Sequence, residues 1–251
     1  MAAPRRYLVT GSASGIGAAF CRRVAGPETA FLVHARANEA GAREVAATLA
    51  ARGARSEVAI ADLEEPASAA ALVARATAAF GGLDVLVHNA GFADRTRLDE
   101  LEPARLRRSF DVIAASFLAL VRAARPALAA GDSPRIVATS SFVAHSFRTD
   151  APMFLASAAA KAALEAMVRA LALELAPDGI TVNAVVPGAI EKEPGRHVAM
   201  TPEQWQAAVA RIPLGRLGRP DDVAAAIAFL AGPDSGYVTG QALRVDGGLV
   251  V

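Results

Sequence analysis

The residues most able to do chemistry through their spacing are Thr10-Gly11-Ser12-Ala13-Ser14-Gly15-Ile16-Gly17. They follow the apolar run Tyr7-Leu8-Val9 and open an alanine-rich helical pattern near Ala18. A strand, a glycine-rich turn and a helix together present backbone N–H groups and a helix N-terminus to a phosphate. Gly11 allows a tight turn, Gly15 lets a pyrophosphate approach the backbone, and Gly17 lets the helix pack closely on the strand. A glycine pattern alone is weakly specific, so the rest of the chain has to support it. Cys21, the only cysteine, has no partner for an intrachain disulfide and reads as a small buried hydrophobe. No His, Cys, Asp and Glu grouping has the spacing of a metal site.

The elements that must position this loop alternate along the whole chain. Apolar runs at Tyr7–Thr10, Phe31–His34, Val58–Ile60, Val85–His88, Ile136–Thr139, Thr181–Val186 and Ala242–Val245 predict strands. Helical patterns lie between them at about 15–25, 38–52, 65–80, 103–129, 157–176 and 220–231. Continuously apolar strands separated by helices imply a mostly parallel sheet buried on both faces. No linker or repeat divides the 251 residues, which suit one α/β domain spanning 1–251. The long irregular section from Pro187 to Pro220 contains Glu191-Lys192-Glu193 and a short helical pattern, and 189–212 is expected to form a lid.

Composition narrows the partners. Lys and Arg number 26 against 25 Asp and Glu, a net charge of +1, so neither a nucleic-acid nor a membrane surface is expected. No apolar run approaches the roughly 20 residues that span a bilayer, and the first residues lack a signal-peptide core. A cytoplasmic enzyme acting on a small molecule fits these features.

Several further motifs give the glycine loop its context. Asp62-Leu63 follows the third strand and His88-Asn89-Ala90-Gly91 ends the fourth. Ile180-Thr181-Val182-Asn183 leads to Pro187-Gly188. Val238-Thr239-Gly240-Gln241 and Val245-Asp246-Gly247-Gly248 lie near the end. With Thr10–Gly17, these motifs resemble the short-chain dehydrogenase/reductase family over nearly the whole chain, in particular its 3-oxoacyl-carrier-protein-reductase-like members. The resemblance implies a single Rossmann-type domain with a seven-stranded sheet, helices on both faces, and assembly as a homotetramer. It implies that a nicotinamide cofactor is held by Gly11, Ser12, Ser14, Gly15, Ile16 and Gly17, by Asp62 and Leu63 against the adenine, by Asn89, Ala90, Gly91 and Lys161, and by Pro187, Gly188 and Ile190. In the position where NAD-preferring members carry an acid, this chain has Ala35, followed by Arg36. An arginine there pairs with a 2′-phosphate, so NADP(H) is expected over NAD(H).

The family's catalytic groups are Asn, Ser, Tyr and Lys. Ser141 matches the serine and Lys161 the lysine, but the tyrosine position is Ser157 and the asparagine position is Ile113. The only tyrosines, Tyr7 and Tyr237, lie in the first strand and in the C-terminal motif that supports assembly and core packing. Enoyl-reductase-like members carry the tyrosine seven residues before the lysine, and here that residue is Phe154. A serine is a far weaker acid than a phenol, whose reference pKa is about 10. Ser141, Ser157 and the Lys161 ammonium would instead form a donor site for a developing oxyanion, with Ser157 and Lys161 at i and i+4 on one helix face. That suits hydride addition to a conjugated C=C, or to a protonated C=N. The Ser-x-x-x-Lys pair resembles that of the 2,4-dienoyl-CoA reductases, although their further tyrosine and asparagine positions are Val143 and Ile113. His145 reads either as a substitute acid or as an exposed loop histidine. Lys192 reads either as a pyrophosphate ligand or as a solvent-facing side chain. His88 is expected to pack at the end of its strand. His34 and His197 carry no motif. A catalytically silent cofactor sensor or partner subunit is the alternative to a reductase.

Overall fold

The structure is a computed structural model that describes residues 4–148, 153–192 and 202–250, with side chains beyond Trp205 in the last segment. Seven strands form one sheet: β1 Arg5–Val9, β2 Thr29–Ala35, β3 Arg55–Ile60, β4 Val85–His88, β5 Arg135–Thr139, β6 Thr181–Pro187 and β7 Ala242–Val245. Their order is β3-β2-β1-β4-β5-β6-β7, and every pairing is parallel. The order reverses between β1 and β4, which opens a crevice beyond the carboxyl ends of those strands.

The helices are α1 Gly15–Val24, α2 Glu39–Ala51, α3 Ser68–Phe80, α4 Pro103–Phe110, α5 Ser116–Ala129, α6 Leu155–Glu174, α7 Pro202–Val209 and α8 Pro220–Ala231. Side chains alternate across the central strands, as the pleat requires. Leu8, Leu32, Leu86 and Ile136 pack into the core with α3, α5 and α6. Tyr7, Val9, Phe31, Val33, Val85, Val87 and Val137 pack into the opposite core with α1, α2 and α8. The uninterrupted apolar strands of the sequence therefore serve two cores at once.

The helix expected over 103–129 departs from a single rod. A π-helical turn, Asp111–Ala115, separates α4 from α5. The Ser116 N–H reaches back to Asp111 O, and the Ser116 hydroxyl donates to Val112 O at 2.6 Å. Such one-turn bulges re-aim side chains and are common at functional sites. Taken whole, Pro103–Ala129 is long and apolar enough to cross a membrane by length and composition, but half of its most apolar stretch is buried inside the protein. It is a core helix packed on the sheet.

Candidate active site

The loop Thr10–Ser14 joins β1 to α1. Gly11 has φ +61°, and a Cβ there would lie 2.9 Å from the Ala90 Cα, so the loop after β1 presses on the loop after β4. A Cβ on Gly17 would lie 2.6 Å from Gly11 O and 2.7 Å from Asn89 Nδ2. Gly15 has φ +57° and faces open space. The first two glycines answer to packing inside the protein, whereas a Cβ on Gly15 would meet no atom within 4 Å.

Two polar side chains hold the loop in place. Asn89 donates through Nδ2 to Thr10 O at 3.2 Å and to Gly11 O at 2.9 Å, and it accepts from the Thr139 hydroxyl at 3.2 Å. His34 was without a motif in the sequence, yet it is the second bolt. Its Nδ1 accepts from the Gly11 N–H at 3.1 Å, which leaves Nε2 to donate to Ala61 O at 3.0 Å. Burial depresses its pKa below the ordinary imidazole value and keeps this neutral tautomer. Ser12 faces inward rather than toward a ligand: its hydroxyl donates to Val9 O at 2.8 Å and accepts from the His34 N–H at 3.0 Å.

A cleft of about 580 Å³ opens over this frame. Its lining includes Gly11, Ser14, Arg36, Asp62, Leu63, Asn89, Ala90 and Gly91, which are residues the sequence assigned to a cofactor. His34, Arg108 and Val112 line it as well. Arg36 is exposed at its rim beside the buried Ala35. Arg108 stands over the Phe92 ring and bridges to Glu64 at 2.6 Å. Ile16 is half-buried against the core. Pro187 closes β6, and Gly188 is squeezed by Asp246, whose Cα would be 2.7 Å from an added Cβ. Ile190 lines a different groove, with Arg216 and Asp246.

Lys161 is buried on α6. Its Nζ donates to Thr139 O at 2.5 Å. Desolvation lowers its pKa to about 8, with Glu165 pulling in the opposite direction. A Cβ on Gly91 would lie 3.3 Å from this nitrogen and 3.7 Å from Ile113 Cγ1. The π turn thus brings fully buried, apolar Ile113 to the place where the family resemblance leads one to expect an amide.

The geometry revises the expected role of Ser157. It is buried, and its Oγ accepts from the Asp94 N–H at 2.7 Å while donating to Phe92 O at 3.3 Å. The hydroxyl latches the loop after β4 to α6 and is not presented as a donor toward an oxyanion. Ser141 is half-buried and caps the short 3-10 turn Phe142–Ala144 by accepting from the Val143 N–H at 3.4 Å. It sits two residues beyond Thr139, the Lys161 partner.

A group missed in the sequence lies beneath. Glu165, only 3% exposed, accepts from the Ser140 hydroxyl and bonds to His145 Nε2 at 2.9 Å. The available signal was an acid four residues after Lys161, on the helix face that also carries Ser157. His88 packs as expected: Nε2 donates to Ser116 Oγ at 2.9 Å, and its ring lies against Phe117. Burial pushes its pKa down to about 3.

The tyrosines are elsewhere. Tyr7 stacks on Phe31 in the core and Tyr237 is fully exposed. Cys21 is buried, which pushes its pKa up to about 12. Lys192 is exposed. Of the expected lid, residues 193–201, including Glu193, Arg196 and His197, lie outside the described residues.

The positive-φ turn at Gly15, the frame at Gly11 and Asn89, and the cleft reaching Arg36 and Asp62 fit a dinucleotide. Comparisons with known proteins agree. A family model described as enoyl-(acyl carrier protein) reductase matches residues 11–250. The cis-4-hydroxycyclohexanecarboxylate dehydrogenase of Sinomonas cyclohexanicum is 39% identical, with 98% of this chain and 96% of that protein covered. The 3-oxoacyl-[acyl-carrier-protein] reductase of Vibrio cholerae is 32% identical, with 96% of each covered. The crystal structure of a short-chain dehydrogenase from Burkholderia cenocepacia in complex with NADP superimposes with a TM-score of 0.89 at 35% identity, covering 98% of this chain and 97% of that one.

Proposed function

The chain belongs to the short-chain dehydrogenase/reductase family and is an oxidoreductase of that family; from this premise we propose that it is an NADP(H)-dependent reductase with a non-standard active site. A bound nicotinamide supplies the hydride. The chain's own residues bind and orient it: the glycine loop cradles the pyrophosphate, Arg36 meets the 2′-phosphate without an opposing acid, and Asp62 and Leu63 border the adenine.

The observation that carries the reading is the pairing of a buried Lys161 with an engaged Ser157. The ammonium places positive charge beside Gly91, where negative charge developing on a substrate oxygen is stabilised. The phenol that ordinarily protonates a carbonyl has no counterpart at residue 157. Substrates that need charge stabilisation more than a strong local acid, such as a conjugated C=C, a C=N or an activated carbonyl, suit this site. We also place the enzyme in the cytoplasm as a homotetramer. The exposed Leu118, Leu173, Tyr237 and Leu243 supply apolar surface for that assembly.

Loss of NADPH absorbance, measured against enones, imines and ketones with NADH in parallel, tests the reading. Turnover with at least one class and a preference for NADPH are expected. Tight NADPH binding with no turnover in any class would overturn it.

A further inference from the structure

The cluster around Glu165 is not used by the reading above. Glu165 lies on α6 one turn beyond Lys161 and two turns beyond Ser157, on the same buried face. A carboxylate at this depth needs donors. One is the Ser140 hydroxyl, and the other is His145 Nε2 on the same oxygen, Oε1. An ionised carboxylate only accepts, so Nε2 carries the hydrogen and Nδ1 is left on the other edge of the ring. The His145 side chain is 26% exposed, and its ring therefore meets both the buried acid and the outside. The backbone is equally well defined: the His145 N–H donates to Phe142 O at 2.9 Å, closing the turn that Ser141 caps. Four residues of such a turn rise about 8 Å, within the span of a small substrate or of one bridging water. An imidazole oriented by a carboxylate beside a substrate-binding serine is the arrangement of a general acid or base.

Resting on the reductase reading, we infer that His145 is the proton donor of the reaction and that Glu165 is its positioning residue. The Nδ1–H bond of the imidazolium breaks as an O–H, N–H or C–H bond forms on the substrate atom that gains the π electron pair when hydride adds at the other end of the unsaturated system. The neutral ring then regains a proton from solvent through its exposed edge. Glu165 is the charged group bonded to His145, and Lys161 lies one helical turn from Glu165 on α6. Ser140 is the neutral partner.

Two variants and one spectroscopic signature test this. In wild-type protein without cofactor, 15N NMR is expected to show a protonated His145 Nε2 in slow exchange, and Glu165→Gln is expected to lose that signal. His145→Gly is expected to lower kcat about 10²-fold or more while leaving the affinity for NADPH, read by fluorescence, within twofold. Added imidazole is expected to restore part of the rate. Unaltered kcat in His145→Gly, or a wild-type ring that is neutral with its hydrogen on Nδ1 and none on Nε2, would overturn the assignment while leaving the reductase reading intact. Wild-type protein that turns over no substrate overturns both.

Discussion

The two ends of the sheet bury charge in different ways. At the amino end, Asp84 is 2% exposed and every part of its carboxylate is engaged. It accepts from Arg6 N at 2.8 Å, Arg6 Nε at 2.8 Å, Arg6 Nη2 at 2.7 Å and Asp132 N at 2.9 Å. Burial works to raise its pKa, yet these bonds outweigh it and hold the carboxyl below its ordinary value. Arg5 and Arg135 serve the same end by donating to the carbonyls of Ser133, Ala231 and Gly232. At the carboxyl end, buried Lys161 has a backbone carbonyl in place of a bonded carboxylate. His88 Nδ1 is buried without a hydrogen-bond partner. A fully bonded carboxylate such as Asp84 makes a staple, although Arg5 Nε at the same end is itself buried without a partner; Lys161, bonded to a carbonyl in place of a carboxylate, leaves charge available to a ligand.

This contrast can be broken most severely at Asp84. Asp84→Ala strands the Arg6 guanidinium, and a loss of about 3–5 kcal/mol in denaturant unfolding is expected, with NADPH affinity retained in the folded fraction. The opposite pattern is expected for Lys161→Met: activity falls about 10²-fold or more while stability at neutral pH holds or rises. A pH titration sharpens the point. Lys161 titrates at about 8 in the folded protein and at its ordinary 10.5 when unfolded. The unfolded chain therefore binds the extra proton between those values, and wild-type stability rises with pH across that window. The rise amounts to on the order of 3 kcal/mol, and Lys161→Met is expected to flatten it in denaturant melts at successive pH values.

At the rim of the cleft, Arg36→Asp is expected to weaken NADPH binding by about tenfold or more and to improve NADH, as measured by KM for each. The smallest effect is expected from Ser157→Ala. Losing the latch costs on the order of 1 kcal/mol in thermal unfolding, and the rate of the chemical step is unchanged. A large fall in that rate would return Ser157 to the reaction.

Much of this was legible in local patterns. The apolar runs at β1, β4 and β5 named the sheet interior because buried parallel strands have no polar face. The glycines named the loop because Gly11 adopts a positive φ and Gly17 has no room for a Cβ. Ala35-Arg36 named the rim by simple charge. The π turn was not legible, since Phe110-Asp111-Val112-Ile113 suits an unbroken helix equally well. The role of His34 was hidden inside an apolar strand. The bond of Ser157 to the loop after β4 joins positions 63 residues apart, and that of His145 to Glu165 joins positions 20 apart.

The sequence by itself determined the alternation of strand and helix, the phosphate loop and the absence of a tyrosine at residue 157. All three depend on residue type and short spacing. Tertiary structure decided which polar groups meet. It directed the Ser157 hydroxyl to Phe92 and Asp94, set Ile113 beside Lys161, and closed Glu165 over Ser140 and His145. Those pairings arise when helices α5 and α6 pack on the sheet, and burial then obliges each polar group to find whichever partner lies within reach.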